Sequence, residues 1–306
     1  MIKIIVPIGA LVVLVTLFIF VRPFIHKDGK IDNGDSSKDF QIIDKDFNKE
    51  MTLPYQEVST YAVVKDNLYL TVADKDSESL GNKVIQYNRK SQNIKTIFKT
   101  KFNVASVQHI IASDEWLSWV DSDDFGTYVN IYAMNMKTKK IISITKENDD
   151  AISNGFPTIS GNYLSWISHD IKSNKSYIML RNLNETENQR ISEIKYHSSD
   201  NNDVSMLDNK ILFTDRANKK SYICIYDIET KKLKKIPTKS KMIGWATYLN
   251  NNQIVFLSFA KDDDFSNNQL ILFDLKNRSE KRFSNEKYMD VDFLTLDNKN
   301  NVYVQC

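Results

Sequence analysis

Short apolar stretches alternate with polar ones along most of the chain, and one pattern returns at a nearly constant distance. Each repeat contains an apolar strand centred on an aromatic residue, and the aligned aromatics are Tyr69, Trp119, Trp166, Phe213, Phe256 and Tyr303. Their separations by subtraction are 50, 47, 47, 43 and 47 residues. A period in this range, built only from short strands, is typical of the blades of a β-propeller.

Further strands flank each aromatic strand. The strand that follows it alternates apolar and polar residues and ends in an Asp or Asn, which starts a turn by bonding its own backbone. A polar, lysine-rich strand comes next and suits a blade's outer edge, where charge discourages pairing with a stray strand. The innermost strands precede the aromatic ones and are predicted at 58–64, 106–112, 152–160, 203–207, 244–249 and 290–296.

The sequence predicts an all-β fold, a six-bladed β-propeller of four-stranded antiparallel blades over residues 40–306. Six inner strand pairs are present but only five outer hairpins, because the last aromatic strand lies at residue 303. The stretch 40–47 is placed to supply a missing outer strand. We therefore expect an N-terminal strand to close the ring, which would leave it without an open edge.

The repeated unit resembles the TolB-like six-bladed β-propeller family over about residues 40 to 306. The unit consists of an apolar aromatic strand, a polar loop, a strand of the form Ile-Tyr-x-Asp-Leu, a turn and an ending such as Ile-Thr. The resemblance rests on five or six copies in phase. Two features depart from it: the chain has only 8 glycines, so Asn and Asp are expected at tight turns, and the extra N-terminal domain of periplasmic TolB is absent. A role in that protein's complex is therefore not implied.

An apolar segment at 4–21 is interrupted only by Thr16 and is flanked by Lys3 and Arg22. Eighteen helical residues rise about 27 Å, close to the hydrocarbon thickness of a bilayer. The alternative is a cleaved signal peptide, whose apolar region usually runs about 7–15 residues before a small-residue cleavage site. The longer segment here, without such a site, predicts one N-terminal transmembrane helix in an uncleaved signal anchor, 1–25.

The following residues, 26–39, are polar, contain two glycines and predict a flexible tether. Basic residues flank the apolar segment on both sides, so the positive-inside rule does not decide its orientation. A short N-terminus before a large folded domain favours a single-pass protein of the cell membrane, with the propeller outside the cytoplasm. The Lys-, Asn- and Ile-rich composition is typical of bacteria with AT-rich genomes.

Composition and motifs exclude several functions. The 41 basic and 39 acidic residues nearly balance and leave no electrostatic footprint for nucleic acid. The sequence has no Gly-x-Ser-x-Gly elbow, no His-Glu-x-x-His helix and no phosphate-binding glycine loop. The four histidines lack the spacing of metal ligands and are expected to pack or hydrogen-bond: His26, His109, His169 and His197. We therefore predict no catalytic residue, no cofactor and no metal site.

Two acidic stretches leave calcium open as an alternative. Asp121 to Asp124 and Asp262 to Asp264 are predicted to form the loop between the second and third strands of two blades. Oxygen-rich loops bind Ca²⁺. Neither stretch has the spacing of a known calcium loop, so solvated hairpin tips are the favoured interpretation.

The most uneven charge lies in a segment with six lysines: Lys231, Lys232, Lys234, Lys235, Lys239 and Lys241. The favoured interpretation is an edge strand protected by charge. The alternative is a patch that attracts an anionic surface, such as lipid headgroups or a cell-wall polymer, at about 1 kcal/mol per lysine.

Four tryptophans and two cysteines complete the candidates. Burial between blades explains the tryptophans more simply than a ligand pocket does: Trp116, Trp119, Trp166 and Trp245. Cys224 lies in an apolar strand and Cys306 is the last residue. Two unpaired thiols are favoured, and a disulfide stays open.

The sequence therefore predicts a membrane-anchored, extracytoplasmic β-propeller that acts as a non-catalytic protein-interaction module for an unidentified protein partner. Rigid blades with variable loops at their faces are the usual arrangement for recognition. The alternative is a sensor or binder of a small molecule or glycan in the central funnel. A hydrolase activity that no motif announces is the third and weakest hypothesis.

Overall fold

The computed structural model describes residues 4–6, 40–44, 49–147, 149–195, 204–261, 264–282, 293–296 and 302–305. All regular elements in these ranges are β-strands, and they fall into two compact units, Met1–Ser143 and Ile144–Cys306. Within the same ranges no helix is long and apolar enough to cross a membrane.

The first unit contains a three-stranded sheet and two four-stranded sheets. In the small sheet β2 pairs with β1 in parallel and with β3 antiparallel. Sheet 1 (β4 to β7) and sheet 2 (β8 to β11) are antiparallel meanders, in which each strand pairs with its neighbour in sequence. The strands are β1 Ile4–Val6, β2 Phe40–Asp44, β3 Lys49–Leu53, β4 Glu57–Val64, β5 Asn67–Ala73, β6 Lys83–Asn88, β7 Ile94–Lys99, β8 Ala105–Ala112, β9 Trp116–Asp123, β10 Val129–Asn135 and β11 Ile141–Ser143.

The second unit continues the repeat with sheet 3 (β12 to β16), sheet 4 (β17 to β20) and sheet 5 (β21 to β24), followed by the antiparallel pair of β25 and β26. The strands are β12 Ile152–Asn154, β13 Thr158–Ser160, β14 Tyr163–Asp170, β15 Lys175–Asn182, β16 Asn188–Ile194, β17 Ser205–Leu207, β18 Lys210–Ala217, β19 Lys220–Asp227, β20 Lys232–Pro237, β21 Met242–Asn250, β22 Gln253–Lys261, β23 Asp264–Asp274, β24 Ser279–Arg282, β25 Phe293–Leu296 and β26 Val302–Gln305.

The all-β class and the four-stranded antiparallel repeat are confirmed. One inner strand, predicted at 152–160, is split into β12 and β13, which both pair with β14. Gly155 and Pro157 lie at the break, and a proline has no N–H to donate to a sheet. The number of blades stays a prediction. So does ring closure through 40–47, since β2 pairs with β1 and β3 within its own unit.

The predicted anchor helix falls mostly outside the described residues. Ile4–Val6, which the apolar segment predicts to be part of this helix, instead form β1 against Ile42, Ile43 and Asp44. Ile and Val are β-branched and pack well on a pleated surface, so such a triplet readily pairs with another strand. The rest of 1–25 and the tether 26–39 lie outside the described residues, and the anchor stays a prediction.

The repeated aromatics form the centre of each sheet. Five of the six have described side chains, and all five are almost fully buried: Tyr69, Trp119, Trp166, Phe213 and Phe256. In the first unit, one hydrophobic cluster combines residues of sheets 1 and 2 around Trp119. In the second unit, separate clusters join sheet 3 to sheet 4 and sheet 4 to sheet 5. Fully burying one such side chain contributes about 1.5–3 kcal/mol, so the repeated aromatic positions are a main source of stability.

The turn after each third strand begins as the sequence predicted. An Asn or Asp side chain accepts a hydrogen bond from a backbone N–H two or three residues later, at distances of 2.7 to 3.1 Å. These residues are Asn88, Asn135, Asn182, Asp227 and Asp274. Five turns of one type, about 47 residues apart, show that the repeat extends to the hairpin chemistry.

The left-handed positions differ from the expectation. Eleven described non-glycine residues have positive φ, and only Asn174, Asp208 and Asn218 are Asn or Asp. Four of the others lie four residues after the Asx residue of their turn, with φ between 53° and 61°: Gln92, Lys139, Lys231 and Arg278. The Asx side chain closes the turn through its hydrogen bond. The strained left-handed conformation is adopted by the residue four positions later, which has a long polar side chain.

Replacing Gln92 by glycine is expected to raise the free energy of unfolding by about 0.5 kcal/mol. Glycine relieves a left-handed strain of about 1–2 kcal/mol, offset by about 0.5–1 kcal/mol of extra chain entropy. The hydrogen bond from Gln92 N to Asn88 O at 2.8 Å is retained. Urea unfolding measures the change. The control is Asn93→Gly, at the next residue, which does not have a positive φ; this variant should be destabilising. Equal effects of both variants on the free energy of unfolding would contradict the explanation by left-handed strain.

Candidate interaction surface

The two ends of each sheet have different connections. At one end, here called the turn end, short turns join the first strand to the second and the third to the fourth. At the other, the loop end, are the connections between the second and third strands and those leading to the next sheet. In the first unit the loop end consists of 74–82, 100–104 and 124–128. The same two ends can be assigned in the other sheets because each is a meander, although in sheet 4 the connection between the second and third strands is only 218–219.

Exposed apolar side chains concentrate at the loop end. Leu80, Phe125 and Ile171 are 56%, 88% and 52% exposed, the largest fractions among described large hydrophobic residues. Each lies in a connection between a second and a third strand. The remaining members of this group, in outer strands, are Ile94, Ile141 and Leu233, at 37–39%. Leu80 and Phe125 belong to the first unit and Ile171 to the second, and all three occupy the same position in their repeats.

Leu80 is held in place by the neighbouring sheet. Its N–H donates to Ala105 O at 3.1 Å, and Ala105 N donates to Ser79 Oγ at 2.9 Å. Gly81 O accepts from Val107 N at 2.8 Å, and a Cβ on Gly81 would lie 2.4 Å from Val107 O. Only glycine permits this approach. The connection therefore presents Leu80 from a fixed backbone.

Phe125 lies in an equally constrained turn between β9 and β10. Asp123 Oδ1 accepts from Tyr128 N at 2.9 Å, and Asp123 O accepts from Gly126 N at 3.1 Å. Gly126 has a φ of +66°, which glycine adopts without strain. The exposed ring of Phe125 is thus carried by a closed turn.

These two connections meet through the start of sheet 2. Ala105, which binds Leu80, is directly opposite Asp123 in the register of β8 and β9. Phe102 stacks on Tyr128 with ring centroids 6.4 Å apart and planes 7° apart. We call residues 74–82, 100–104 and 123–128 together the loop surface.

The loop surface is acidic. It contains five carboxylates and two lysines, a formal charge of −5 + 2 = −3: Asp74, Asp76, Glu78, Asp123 and Asp124 against Lys75 and Lys101. The turn end of the same unit contains six basic and three acidic residues, +6 − 3 = +3: Lys65, Arg89, Lys90, Lys137, Lys139 and Lys140 against Asp66, Asp114 and Glu115. The exposed apolar side chains Leu80 and Phe125 therefore lie on the negative end.

Two of these carboxylates have partners within the fold. Asp74 pairs with Lys83 Nζ at 2.6 Å and binds Asn82. Burial disfavours ionisation of Asp74, but the hydrogen bonds from Lys83 and Asn82 outweigh it and lower the pKa. Asp123 caps its own turn. Asp76, Glu78 and Asp124 are exposed and form no ion pair with any residue in the described ranges, so their charge is available to a partner.

The six predicted lysines do not share one surface. Lys231 lies at the turn end of sheet 4, whereas Lys239 and Lys241 lie in the connection at its loop end. Between them β20 spans about 20 Å, and its alternation places Lys232 and Lys234 on one face and Lys235 on the other. All six are exposed to some extent. Binding of these lysines to an anionic surface stays a prediction, and it involves separated groups.

Lys235 has a role inside the fold. Its Nζ lies 2.8 Å from Oδ2 of Asp215, whose side chain is fully buried. Burial lowers the pKa of Lys235, but the hydrogen bond and charge of Asp215 raise it more, so the net shift is upward. Asp215 Oδ1 also accepts from the backbone N–H groups of Lys195 and Arg216, at 3.0 and 2.9 Å. The pair thus joins β18 to β20 and to the connection after β16.

Cys224, opposite Lys235 in the register of β19 and β20, is a buried free thiol. Burial raises its pKa to about 12, which makes it unreactive. Cys306 lies outside the described residues.

The first acidic stretch was predicted to be a loop, but only Asp124 lies in the turn, and Asp121 to Asp123 belong to β9. Asp121 is 2% exposed within β9, which continues to Asp123 because its backbone pairs with β8 and β10 on both sides. Thr100 Oγ1 donates to Asp121 Oδ1 at 2.7 Å. Asp262 and Asp263 lie outside the described residues, and Asp264 begins β23. In the described part of the chain, no three His, Cys, Asp or Glu side chains are grouped to hold a metal ion.

The remaining candidates lie mainly in the core. Trp116, Trp119 and Trp166 are buried as predicted, whereas Trp245 is only half-buried and meets Phe259 edge-on at 5.9 Å. The predicted hydrogen bonding of His169 is confirmed, with its Nδ1 3.0 Å from Ser176 Oγ.

His109 and Trp245 share an unusual backbone. They occupy equivalent β-bulges in β8 and β21, the first strands of sheets 2 and 5, and their φ angles are +54° and +44°. Bulges and left-handed bulky residues are often found beside functional sites. Sequence periodicity gives no sign of them. His26 and His197 lie outside the described residues.

Comparison with known proteins supports the fold. No protein-family model and no curated protein sequence matches the chain. A prolyl endopeptidase structure aligns with a TM-score of 0.54 and 11% identity, over 78% of this chain and 38% of that one. An oligogalacturonate lyase in complex with manganese aligns with a TM-score of 0.51 and 11% identity, over 78% of this chain and 68% of the lyase. TolB from Acinetobacter baumannii gives 0.47 and 15% identity, over 82% and 63%.

The two neighbours with TM-scores above 0.5 support a β-propeller fold, which is the fold that the resemblance seen in the sequence implies. The chain spans well under half of the prolyl endopeptidase. At 11% identity the likeness extends to the fold alone, and the peptidase and lyase activities are properties of those proteins.

Proposed function

We propose that this chain is a membrane-anchored, extracytoplasmic β-propeller that acts as a non-catalytic protein-interaction module, and that its partner binds the loop end of the sheets. The observation that supports this most strongly is the exposure of Leu80 and Phe125 at the loop end. These apolar side chains are among the most exposed in the described residues, and each is carried by a backbone fixed by hydrogen bonds. Fixed apolar groups lose little entropy on association, which favours binding.

The absence of catalysis is part of the proposal. Its support is the sequence, which has no nucleophile or metal motif, and the use of the buried polar groups Asp121 and Asp215 in holding connections between strands. Anchoring by 1–25, with the sheets outside the cytoplasm, rests on the length and hydropathy of that segment. The tether 26–39 would give the module some freedom above the membrane.

Capture of the partner should depend on the loop end. We expect the tagged full-length chain to recover one protein in near-equal amount from solubilised envelope extract of its source, and Leu80→Asp with Phe125→Asp to reduce that recovery at least about tenfold. Central aromatic anchors are often worth 2 kcal/mol or more in an interface, and 1.4 kcal/mol is a factor of ten in affinity. Quantitative mass spectrometry of the recovered proteins measures the change.

The matched control is Ile94→Asp with Ile141→Asp, which places the same charges on exposed apolar residues of outer strands. This variant should retain the partner. Equal loss in both double variants would show a general effect of surface charge and would contradict the proposed location.

A second candidate function is binding of a small molecule or glycan along the innermost strands. The observation that favours it is the pair of left-handed bulge residues, His109 and Trp245, of which Trp245 is half-buried. A thermal-shift screen of the full-length chain tests it, with the expectation that Trp245→Ala abolishes the response to any ligand that stabilises the protein.

A further inference from the structure

We propose that the loop surface of the first unit binds a protein segment that carries basic and apolar side chains together. This inference rests on the proposed function and specifies the chemistry of the partner. It combines the exposed apolar groups Leu80 and Phe125 with the three exposed carboxylates Asp76, Glu78 and Asp124.

Charge distinguishes this surface from the rest of the unit. Counting Lys83, which pairs with Asp74, the loop surface still has a formal charge of −5 + 3 = −2, against +3 at the turn end of the same sheets, although the whole chain is nearly neutral at +2. Complementary charge accelerates association and excludes partners of the wrong sign. An acidic or neutral segment would leave the three carboxylates without counter-charges, so a basic segment fits best.

The spacing of the groups favours an anchor-and-rim arrangement. Phe125 projects from the β9–β10 turn directly after Asp124, and Leu80 follows Glu78 by two residues in the adjacent connection. Phe102 and Tyr128, half-buried and stacked, lie at the base of the same turn. An apolar side chain of the partner can therefore contact Phe125 or Leu80 while a neighbouring lysine or arginine meets the adjacent carboxylate, the pattern of an apolar centre with a charged rim.

Three labelled peptides of equal length test the proposal against the full-length chain by fluorescence anisotropy. Their sequences alternate Lys with Leu, Glu with Leu, and Lys with Ser. We expect only the Lys–Leu peptide to bind, and its affinity to fall when salt is raised from 0.05 to 0.5 M, because exposed charges are screened. The triple variant Asp76→Lys, Glu78→Lys, Asp124→Lys should weaken its binding at least tenfold, and so should Phe125→Asp.

The matched control reverses the three acidic residues at the turn end: Asp66→Lys, Asp114→Lys and Glu115→Lys. The overall charge changes equally, and binding of the Lys–Leu peptide should persist. Equal binding of the Glu–Leu peptide, equal weakening in both triple variants, or binding of the Lys–Ser peptide as tight as that of the Lys–Leu peptide would each overturn the proposal.

Two further outcomes separate this inference from the proposed function. Suppose that Phe125→Asp abolishes capture of an envelope protein but the loop-surface triple variant does not. The proposed function as a protein-interaction module is then supported, and the proposal that the partner segment is basic is overturned. If the triple variant loses binding of the Lys–Leu peptide but the wild-type chain captures no envelope protein, recognition of a basic and apolar segment is supported. The proposed function as a protein-interaction module is then overturned. Sedimentation of the full-length chain tests a second copy as occupant, and a dimer dispersed by the triple variant would overturn a separate partner.

Discussion

Asp215→Ala is expected to lower the free energy of unfolding by about 3 kcal/mol. The carboxylate is fully buried and accepts three hydrogen bonds, from Lys235 Nζ and from the backbone N–H groups of Lys195 and Arg216. Alanine has no side-chain oxygen to receive these donors, and a donor left without an acceptor inside the fold costs about 1–3 kcal/mol. The expected loss comes mainly from the two backbone N–H groups, because the Lys235 side chain is 37% exposed and its ammonium can turn to water. The midpoint of urea unfolding, with the slope checked for a common transition, measures the loss.

Lys235→Met and Lys234→Met separate the contribution of the ion pair from that of the strand. Lys234 lies on the opposite face of β20, so its substitution should change stability by less than about 0.5 kcal/mol. Lys235→Met removes the cation from a buried carboxylate and should be clearly destabilising. The pKa of Lys235 is raised in the folded protein, so its contribution is complete below the unfolded value of about 10.4 and is lost as pH rises through the folded value.

The difference in the free energy of unfolding between wild type and Lys235→Met should therefore decrease above about pH 10.4. Buried tyrosines with raised pKa values, such as Tyr61 and Tyr69, also destabilise the fold at high pH. They are present in both proteins and cancel in the comparison. A gap that widens with alkaline pH would contradict the role assigned to the pair.

The repeat predicted the strands well because it records burial. Tyr69, Trp119 and Trp166 recur at a fixed distance since each must fill the centre of one sheet, and burial leaves a hydrophobic signature in the sequence. The Asx residues at the third-strand ends were predictable for a similar reason, because their turn depends on a side chain within four residues. Both features depend on residues of a single repeat, so they can be predicted from the sequence alone.

The loop surface was not predictable from the same signals. Phe125 and Leu80 are apolar residues within polar connections, and their exposure depends on hydrogen bonds to Asp123 and to Ala105 of the neighbouring sheet. The lysine-rich segment suggested a site because charge is visible in a sequence, whereas strand alternation and the buried Asp215 divide those lysines among separate environments. Asp121 was assigned to a loop by composition and proved to be a strand residue, since pairing on both sides of β9 extends it.

Trp119→Ala is expected to lower the free energy of unfolding by about 4 kcal/mol, more than any other single substitution proposed for this chain. The side chain is fully buried, and its ring lies 5.3 Å from Phe98 of sheet 1 and 6.0 Å from Tyr132 of sheet 2. Its removal leaves a cavity in the cluster that joins these two sheets. Tryptophan or phenylalanine to alanine in a core typically costs 3–5 kcal/mol, because the surroundings collapse only in part.

Trp119→Phe provides the test of this explanation. The indole Nε1 is buried and has no hydrogen-bond partner among the described residues, so phenylalanine loses volume but removes an unsatisfied donor, which costs about 1–3 kcal/mol when buried. Phenylalanine already occupies the aligned positions Phe213 and Phe256 in sheets 4 and 5. We therefore expect Trp119→Phe to lower the free energy of unfolding by about 1 kcal/mol or less. Phe125→Ala, at an exposed position, should lower it by less than about 0.5 kcal/mol. A loss for Trp119→Phe equal to that for Trp119→Ala would show that the indole forms an interaction of its own rather than filling the space between the sheets.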